Sequence, residues 1–379
     1  MSEHVTLIAT ATMGLEALVA REVKALGYTD VQVENGRIEF QAPLQAIART
    51  NMWLRTADRV KLKAAEFTAV SFDELFEKTK AVPWETFLPA NAEFPVVGRS
   101  VKSTLYSVPD CQSIVKKAVV ERLKQTYQKE WFPENGGLYK MEAALHKDTV
   151  TLTIDTSGAG LHKRGYRSVQ NTAPLKETLA ASLVMLTNWH PDRPFADPFC
   201  GSGTIPIEAA LIGQQIAPGF NREFAAESWQ WLGADMWKEA REEAEDKADY
   251  DQPLDIQGSD IDHRIVELAR ENAMEAGLYG VVNFKQMQAV DFTADKPYGC
   301  LVSNPPYGER LSGKEEVETL YEDIGRVFRP LDTWSVYILT SNEAFESFYG
   351  SSATKKRKLY NGKIKTDYYQ FWGQRPPKE

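Results

Sequence analysis

The chain has 379 residues, 43% of them hydrophobic and 26% charged, the balance of a soluble globular protein with two or three domains. No run of about 18 apolar residues occurs, which excludes a membrane-spanning helix on hydropathy, and the first residues lack the basic flank and apolar block of a secretory signal. The net charge of -9 excludes a protein that holds nucleic acid by bulk charge alone.

Charge is unevenly spread. From Arg99 to Arg167 there are 12 Lys/Arg against 7 Asp/Glu, whereas residues 223–262 are strongly acidic. Such a distribution permits RNA binding that depends on shape and local contacts. Cys111, Cys200 and Cys300 are widely separated and form neither a disulfide framework nor a C-x-x-C pair. No metal is expected, and a reducing cytoplasm suits the three thiols.

In chain order, Val5 to Thr10 reads as a strand, and residues 14–26 place Leu15, Leu18, Val19, Val23 and Leu26 at helical spacing before Gly27. Residues 31–40 read as two strands about Asn35-Gly36, a hairpin signal. Residues 44–54 read as a second helix. This β-α-β-β-α order predicts a ferredoxin-like α+β domain over 1–55. A second domain over 56–165 is predicted to hold helices near 71–79 and 110–128 and strands near 94–99, 138–145 and 149–154.

After Tyr166 strands and helices alternate, as in a parallel sheet with crossover helices. Strands are expected at 195–199, 254–259, 281–286, 299–303 and 334–340, followed by a hairpin of 355–360 and 363–372 about Asn361-Gly362. The fold class is α/β: a Rossmann-like doubly wound sheet over 166–379 with an antiparallel closing hairpin. Ligands of such sheets bind at the carboxyl ends of the strands.

The first of these strands runs into Asp197-Pro-Phe-Cys-Gly-Ser-Gly-Thr204. Gly201 and Gly203 let the backbone approach a ligand and turn into a helix N-terminus, and Asp197 can hold a cationic ammonium group. The spacing fits neither G-x-G-x-x-G nor a phosphate loop. The second strand ends Gly258-Ser-Asp-Ile-Asp262. There Asp260 can accept from both hydroxyls of a ribose, and helix capping is the alternative for Asp260 and Asp262. After the third strand Asp291 can accept from an adenine amino group, with Phe292 against the ring.

The fourth strand ends Asn304-Pro-Pro-Tyr307. Pro305 and Pro306 remove backbone donors, leaving the Asn304 amide oxygen and the Pro305 carbonyl to face a ligand. An exocyclic base amine is a poor nucleophile because its lone pair is delocalised into the ring. Two acceptors on its hydrogens favour a pyramidal nitrogen, and Tyr307 offers a ring for an extracted base.

These motifs, in this order and spacing, resemble the cofactor and catalytic motifs of Rossmann-fold methyltransferases acting on base amino groups. The segment 171–181 resembles the additional cofactor-site helix of that group. The N-terminal half is similar to the ferredoxin-like plus THUMP arrangement of RNA-modifying enzymes, and residues 160–167 match the junction between THUMP and catalytic parts. The resemblance is to THUMP-domain-containing class I RNA methyltransferases, and within them to the bacterial 23S rRNA guanine-N2 enzymes, often labelled N6-adenine-specific DNA methylases.

The resemblance implies S-adenosyl-L-methionine as cofactor, held by Asp197, Pro198, Phe199, Gly201, Gly203 and Thr204, by Asp260 and Ile261 at the ribose, by Asp291 and Phe292 at the adenine, and by Asn304. It implies Asn304, Pro305, Pro306 and Tyr307 as the catalytic set. The second domain would be an RNA-binding THUMP domain, with Lys116, Lys117, Arg122, Lys124, Lys163, Arg164 and Arg167 as phosphate contacts. A solvated helix face is the alternative for those cations.

Structured RNA is the expected partner, rRNA or tRNA, without a membrane. The alternatives are an adenine-N6 methyltransferase on DNA or RNA, a tRNA guanine-N2 enzyme, and a catalytically silent RNA-binding assembly factor. Trp229, Trp231 and Trp237 lie in an insertion over 217–253 that covers the cofactor, stacks on RNA or buries against its domain. Lys355 to Lys358 either touches phosphate or protects an edge strand.

Overall fold

The computed structural model describes residues 4–167, 175–307 and 314–377. Two compact units emerge. The first comprises the chain to Ala11, Val19–Leu161 and Arg222–Glu243, and the second Thr12–Leu18, His162–Asn221 and Ala244 onward.

The first unit contains β1 (His4–Ala11), most of α1 (Glu16–Ala25), β2 (Val31–Glu34), β3 (Arg37–Pro43), α2 (Ala46–Trp53), β4 (Ala57–Thr68), α3 (Phe72–Ala81), β5 (Val96–Val101), α4 (Val108–Tyr127), β6 (Met141–His146) and β7 (Thr149–Asp155). Its seven strands form one sheet in the order β2-β3-β1-β4-β7-β6-β5. The ferredoxin-like strands and those that follow therefore share a ladder through β4, which pairs with β1 on one side and β7 on the other. β4 has no counterpart among the strands expected from sequence. Val60 and Leu62 are buried between the half-buried Lys61 and Lys63, an alternation obscured by the run of lysines and alanines.

The second unit contains α5 (Glu177–Met185), β8 (Phe195–Asp197), α6 (Thr204–Gly213), α7 (Asp235–Lys247), β9 (Ile256–Asp260), α8 (His263–Glu275), β10 (Val282–Gln286), β11 (Cys300–Ser303), α9 (Lys314–Phe328), β12 (Ser335–Thr340), α10 (Phe345–Tyr349), β13 (Lys355–Asn361) and β14 (Ile364–Phe371), although most of α7 packs in the first unit. The strand order is β10-β9-β8-β11-β12-β14-β13. The first five strands are parallel, and β14 and β13 close the edge antiparallel. Two apolar layers flank this sheet. One is built around α5, α6 and α8, the other around α9 and α10.

The order reverses between β8 and β11, where a doubly wound sheet opens its ligand crevice. Among the described residues no helix is long and apolar enough to cross a membrane, and no group of three or more His, Cys, Asp or Glu is placed to hold a metal ion.

Candidate active site

β8 stops at Asp197 because Pro198 has no N–H to offer a ladder. Gly201 (φ 52°) and Gly203 (φ 84°) then carry the backbone through left-handed conformations into α6. A Cβ on Gly203 would meet Phe284 Cζ at 2.9 Å and Ala269 Cβ at 3.0 Å, so only glycine fits that turn. Around Gly201 no atom lies within 4 Å of the Cβ position, which leaves its backbone open to a ligand.

Asp197 is 1% exposed. Its Oδ1 accepts from Phe199 N at 3.0 Å and from the Ser303 hydroxyl, whereas Oδ2 is buried without a partner. Burial raises its pKa to about 7 against the pull of those two donors. Ser303 ends β11, which runs parallel beside β8. The hydroxyl therefore ties the glycine turn to the residue preceding Asn304.

Asp260 braces the same turn. Its Oδ2 accepts from Gly201 N and its Oδ1 from Asp262 N, both at 3.1 Å. Asp262 is the N-cap of α8, accepting from Arg264 N at 2.9 Å, which is the capping alternative. Ile261 between them is 65% exposed. Asp291 is exposed at the end of a short 3-10 turn.

Phe292 corrects the expectation from sequence. Its ring is buried edge-on against Phe328 at 6.1 Å and Trp334 at 5.5 Å. It packs in the core between sheet and α9 rather than against a ligand ring.

The Asn304–Tyr307 segment is fastened at three points. Ser303 holds it to Asp197. The Tyr321 hydroxyl of α9, itself paired with Thr340 at 2.9 Å, donates to the Pro306 carbonyl at 3.2 Å. Asn361 Nδ2, at the turn of the β13–β14 hairpin, donates to the Tyr307 hydroxyl at 2.7 Å. Within this frame Asn304 Oδ1 is buried and has no hydrogen-bond partner. Buried polar atoms are normally satisfied. Here two acceptors on neighbouring strands are not, which fits a cationic group beside Asp197 and an amino group beside Asn304. The sequence marks Asn361 as a hairpin turn but not as a partner of Tyr307, and marks Tyr321 not at all, because these contacts join segments apart in the chain.

Several expected phosphate contacts are otherwise engaged. Arg164 is 3% exposed and forms a double contact with Glu208 of α6, both at 3.3 Å. Arg167 binds Glu177 at 3.3 Å, the Leu175 carbonyl at 3.1 Å and Thr204. Both arginines tie the 164–167 segment onto α5 and α6, and Arg164 is corrected to a buried structural ion. On α4, Lys116 lies 3.5 Å over the Phe94 ring and pairs with Glu134. Arg122 binds Glu85 at 2.9 and 2.5 Å. Lys124 pairs with Glu130 at 3.2 Å. Lys117 and Lys163 are exposed.

The tryptophan-rich insertion is buried in the first unit. Trp229 stacks on Tyr139 at 4.7 Å and donates to Leu138 O, and Trp231 donates to Phe87 O, both at 2.9 Å. Trp237 stacks on Phe224 at 5.3 Å. Neither stacking on RNA nor covering a cofactor is open to the buried Trp229 and Trp237. Residues 171–174 and Gly308 lie outside the described residues.

Residues 164–370 match the family described as "RMKL-like, methyltransferase domain". Residues 6–61 match the RlmL ferredoxin-like domain and 69–155 the THUMP domain. The chain is 63% identical to the Bacillus subtilis protein named "Putative RNA methyltransferase YpsC", across 98% of this chain and 97% of that one. It is 34% identical to the ribosomal RNA large subunit methyltransferase K/L of Syntrophotalea carbinolica, across 98% of this chain but 54% of that protein, so it spans about half of that relative's length. The crystal structure of SMU.472, a "putative methyltransferase complexed with SAH", superposes with a TM-score of 0.94 at 50% identity, covering all of both chains. The chain belongs to the RMKL-like methyltransferase-domain family.

Proposed function

We propose that the chain transfers the methyl group of S-adenosyl-L-methionine to the exocyclic N2 of a guanine in 23S rRNA, in the cytoplasm. The observation that carries this reading is the pair of buried, unpartnered acceptors at adjacent strand ends, Asp197 Oδ2 and Asn304 Oδ1. The cofactor and RNA assignments draw on the relatives: one is complexed with SAH, and another is named for ribosomal RNA.

When bound, the cofactor supplies an electrophilic methyl carbon on a cationic sulfur. The protein's own work is alignment. Asp197 takes the ammonium end, Gly201 leaves room for the methionine chain, and Gly203 makes the tight turn into α6. Asp260 and Ile261 meet the ribose, and Asp291 the adenine. Asn304 Oδ1 and the Pro305 carbonyl accept the hydrogens of the target amine and aim its lone pair, while Tyr307 stacks on the extracted base. The fastenings by Ser303, Tyr321 and Asn361 hold these groups still, which suits a displacement that needs positioning more than proton transfer.

The test is methyl transfer from labelled S-adenosyl-L-methionine to 23S rRNA, tRNA and duplex DNA, followed by nucleoside analysis. Label in N2-methylguanosine from rRNA is expected. Label in N6-methyladenosine, in DNA or in tRNA overturns the target. No transfer to any substrate, with cofactor binding intact, favours the silent assembly factor.

A further inference from the structure

We infer that the β13–β14 hairpin is part of the substrate site: its unpaired cations take the RNA phosphates flanking the target nucleotide, while Asn361 at its turn holds Tyr307. The inference rests on the reading of Asn304–Tyr307 as the residues that hold the base.

Three observations converge. First, the hairpin turn reaches the site. β14 runs antiparallel to β12, with Asp367 opposite Thr340, so the Asn361-Gly362 turn lies at the carboxyl end of the parallel strands. There Asn361 touches Tyr307 at 2.7 Å.

Second, residues 355–365 carry six cations and no acid: Lys355, Lys356, Arg357, Lys358, Lys363 and Lys365. Lys356 pairs with Glu346 at 3.5 Å and Lys365 with Glu343 at 2.9 Å. Among the described residues the other four have no ion-pair partner, although Asp367 stands opposite Lys358 in the ladder. Positive charge remains in excess along the hairpin, from Lys363 at the turn beside the base-holding segment, through Lys358 opposite Asp367, back to Lys355 level with Tyr337 of β12. This contrasts with α4, where Lys116, Arg122 and Lys124 are each neutralised by a glutamate.

Third, edge protection has less to explain at Lys358, where the free edge of β13 is already covered. The β13 backbone is already approached by the chain at Gly14, where a Cβ would meet Lys358 O at 2.9 Å.

The carboxyl end of the sheet is therefore divided by charge. Asp197, Asp260, Asp262 and Asp291 gather after β8, β9 and β10, where a cationic cofactor suits them. At the opposite edge lysines and an arginine run from the turn back along β13, a track that suits a polyanion. Asn361 is a positioning residue for Tyr307, and the cations touch the RNA directly.

The experiment compares wild type with a Lys355→Ala, Lys358→Ala, Lys363→Ala triple variant and with Asn361→Ala. Salt-dependent binding of a 23S rRNA transcript and methyl-transfer turnover on it are measured, together with calorimetry of S-adenosylhomocysteine. The triple variant should keep its S-adenosylhomocysteine affinity within about twofold. Its slope of log Kd against log salt should fall by roughly two to three, close to one for each phosphate that a lysine no longer neutralises. Asn361→Ala should show the opposite split, with kcat lowered about tenfold and RNA affinity unchanged.

An unchanged salt slope overturns the inference. So does a triple variant that loses S-adenosylhomocysteine binding, because the cations would then be structural. Asn304→Ala separates the two readings. Should it retain full turnover, the base-holding assignment fails. Should it be inactive while the triple variant binds RNA like wild type, only the hairpin inference fails.

Discussion

Asp197 and Glu208 stand on either side of one glycine turn, and both are buried, at 1% and 0% exposure. Glu208 sits in the apolar helix α6 and is fully partnered: Arg164 contacts both of its oxygens at 3.3 Å, and the Tyr166 hydroxyl donates to it at 3.2 Å. Asp197 receives two donors on one oxygen and none on the other. A completed buried pair holds chain segments together, and removing one partner leaves an uncompensated charge. An uncompleted carboxylate with a raised pKa marks a place where a ligand belongs. Burial alone does not separate structure from function here, and neither does a missing partner alone, since Tyr139 and Trp237 also keep unpartnered buried atoms. What marks Asp197 is a missing partner at a strand end beside the glycine turn.

Breaking the completed side should have the largest effect. Glu208→Ala strands the Arg164 guanidinium and should lower stability by about 3–5 kcal/mol in urea unfolding. An Arg164→Met, Glu208→Leu double variant should lose much less.

The functional side should respond through activity instead. Asn304→Ala should lower turnover about 100-fold, roughly 2.7 kcal/mol, with S-adenosylhomocysteine affinity unchanged by calorimetry. A collapse of cofactor binding would remove Asn304 from the role given to it. Asp197→Asn should weaken S-adenosylhomocysteine binding about tenfold without lowering the urea midpoint, because the neutral amide is easier to bury. Loss of stability in that variant would place Asp197 with Glu208. The smallest effect belongs to α4. Arg122→Ala should leave RNA affinity within about twofold, because Glu85 already neutralises the guanidinium.

Motif order and strand alternation make the second unit's sheet and its crevice legible in the sequence. Glycines 201 and 203, Asp197 and the Asn304–Tyr307 segment are local signals, each readable from a few adjacent residues. Legibility ends where partners are distant in the chain. Nothing near Arg164 announces Glu208, 44 residues on, so an arginine in a basic stretch reads as a phosphate contact. Phe292 adjoins Asp291, yet its ring turns into the core toward Phe328 and Trp334. β4 is hidden among lysines whose aliphatic stems lie along the sheet while their charges pair across strands, as Lys63 does with Glu39 at 2.7 Å.

The pH dependence of S-adenosylhomocysteine binding tests the role of Asp197 most directly. Burial holds its folded pKa near 7, above the ordinary value of 3.8, so below pH 7 a proton occupies the carboxylate that the ammonium group needs. Affinity should rise about tenfold per unit from pH 5.5 to 6.5 and level off above 7, and Asp197→Asn should flatten the profile. A flat profile in wild type, or the same slope in the variant, would contradict the assignment.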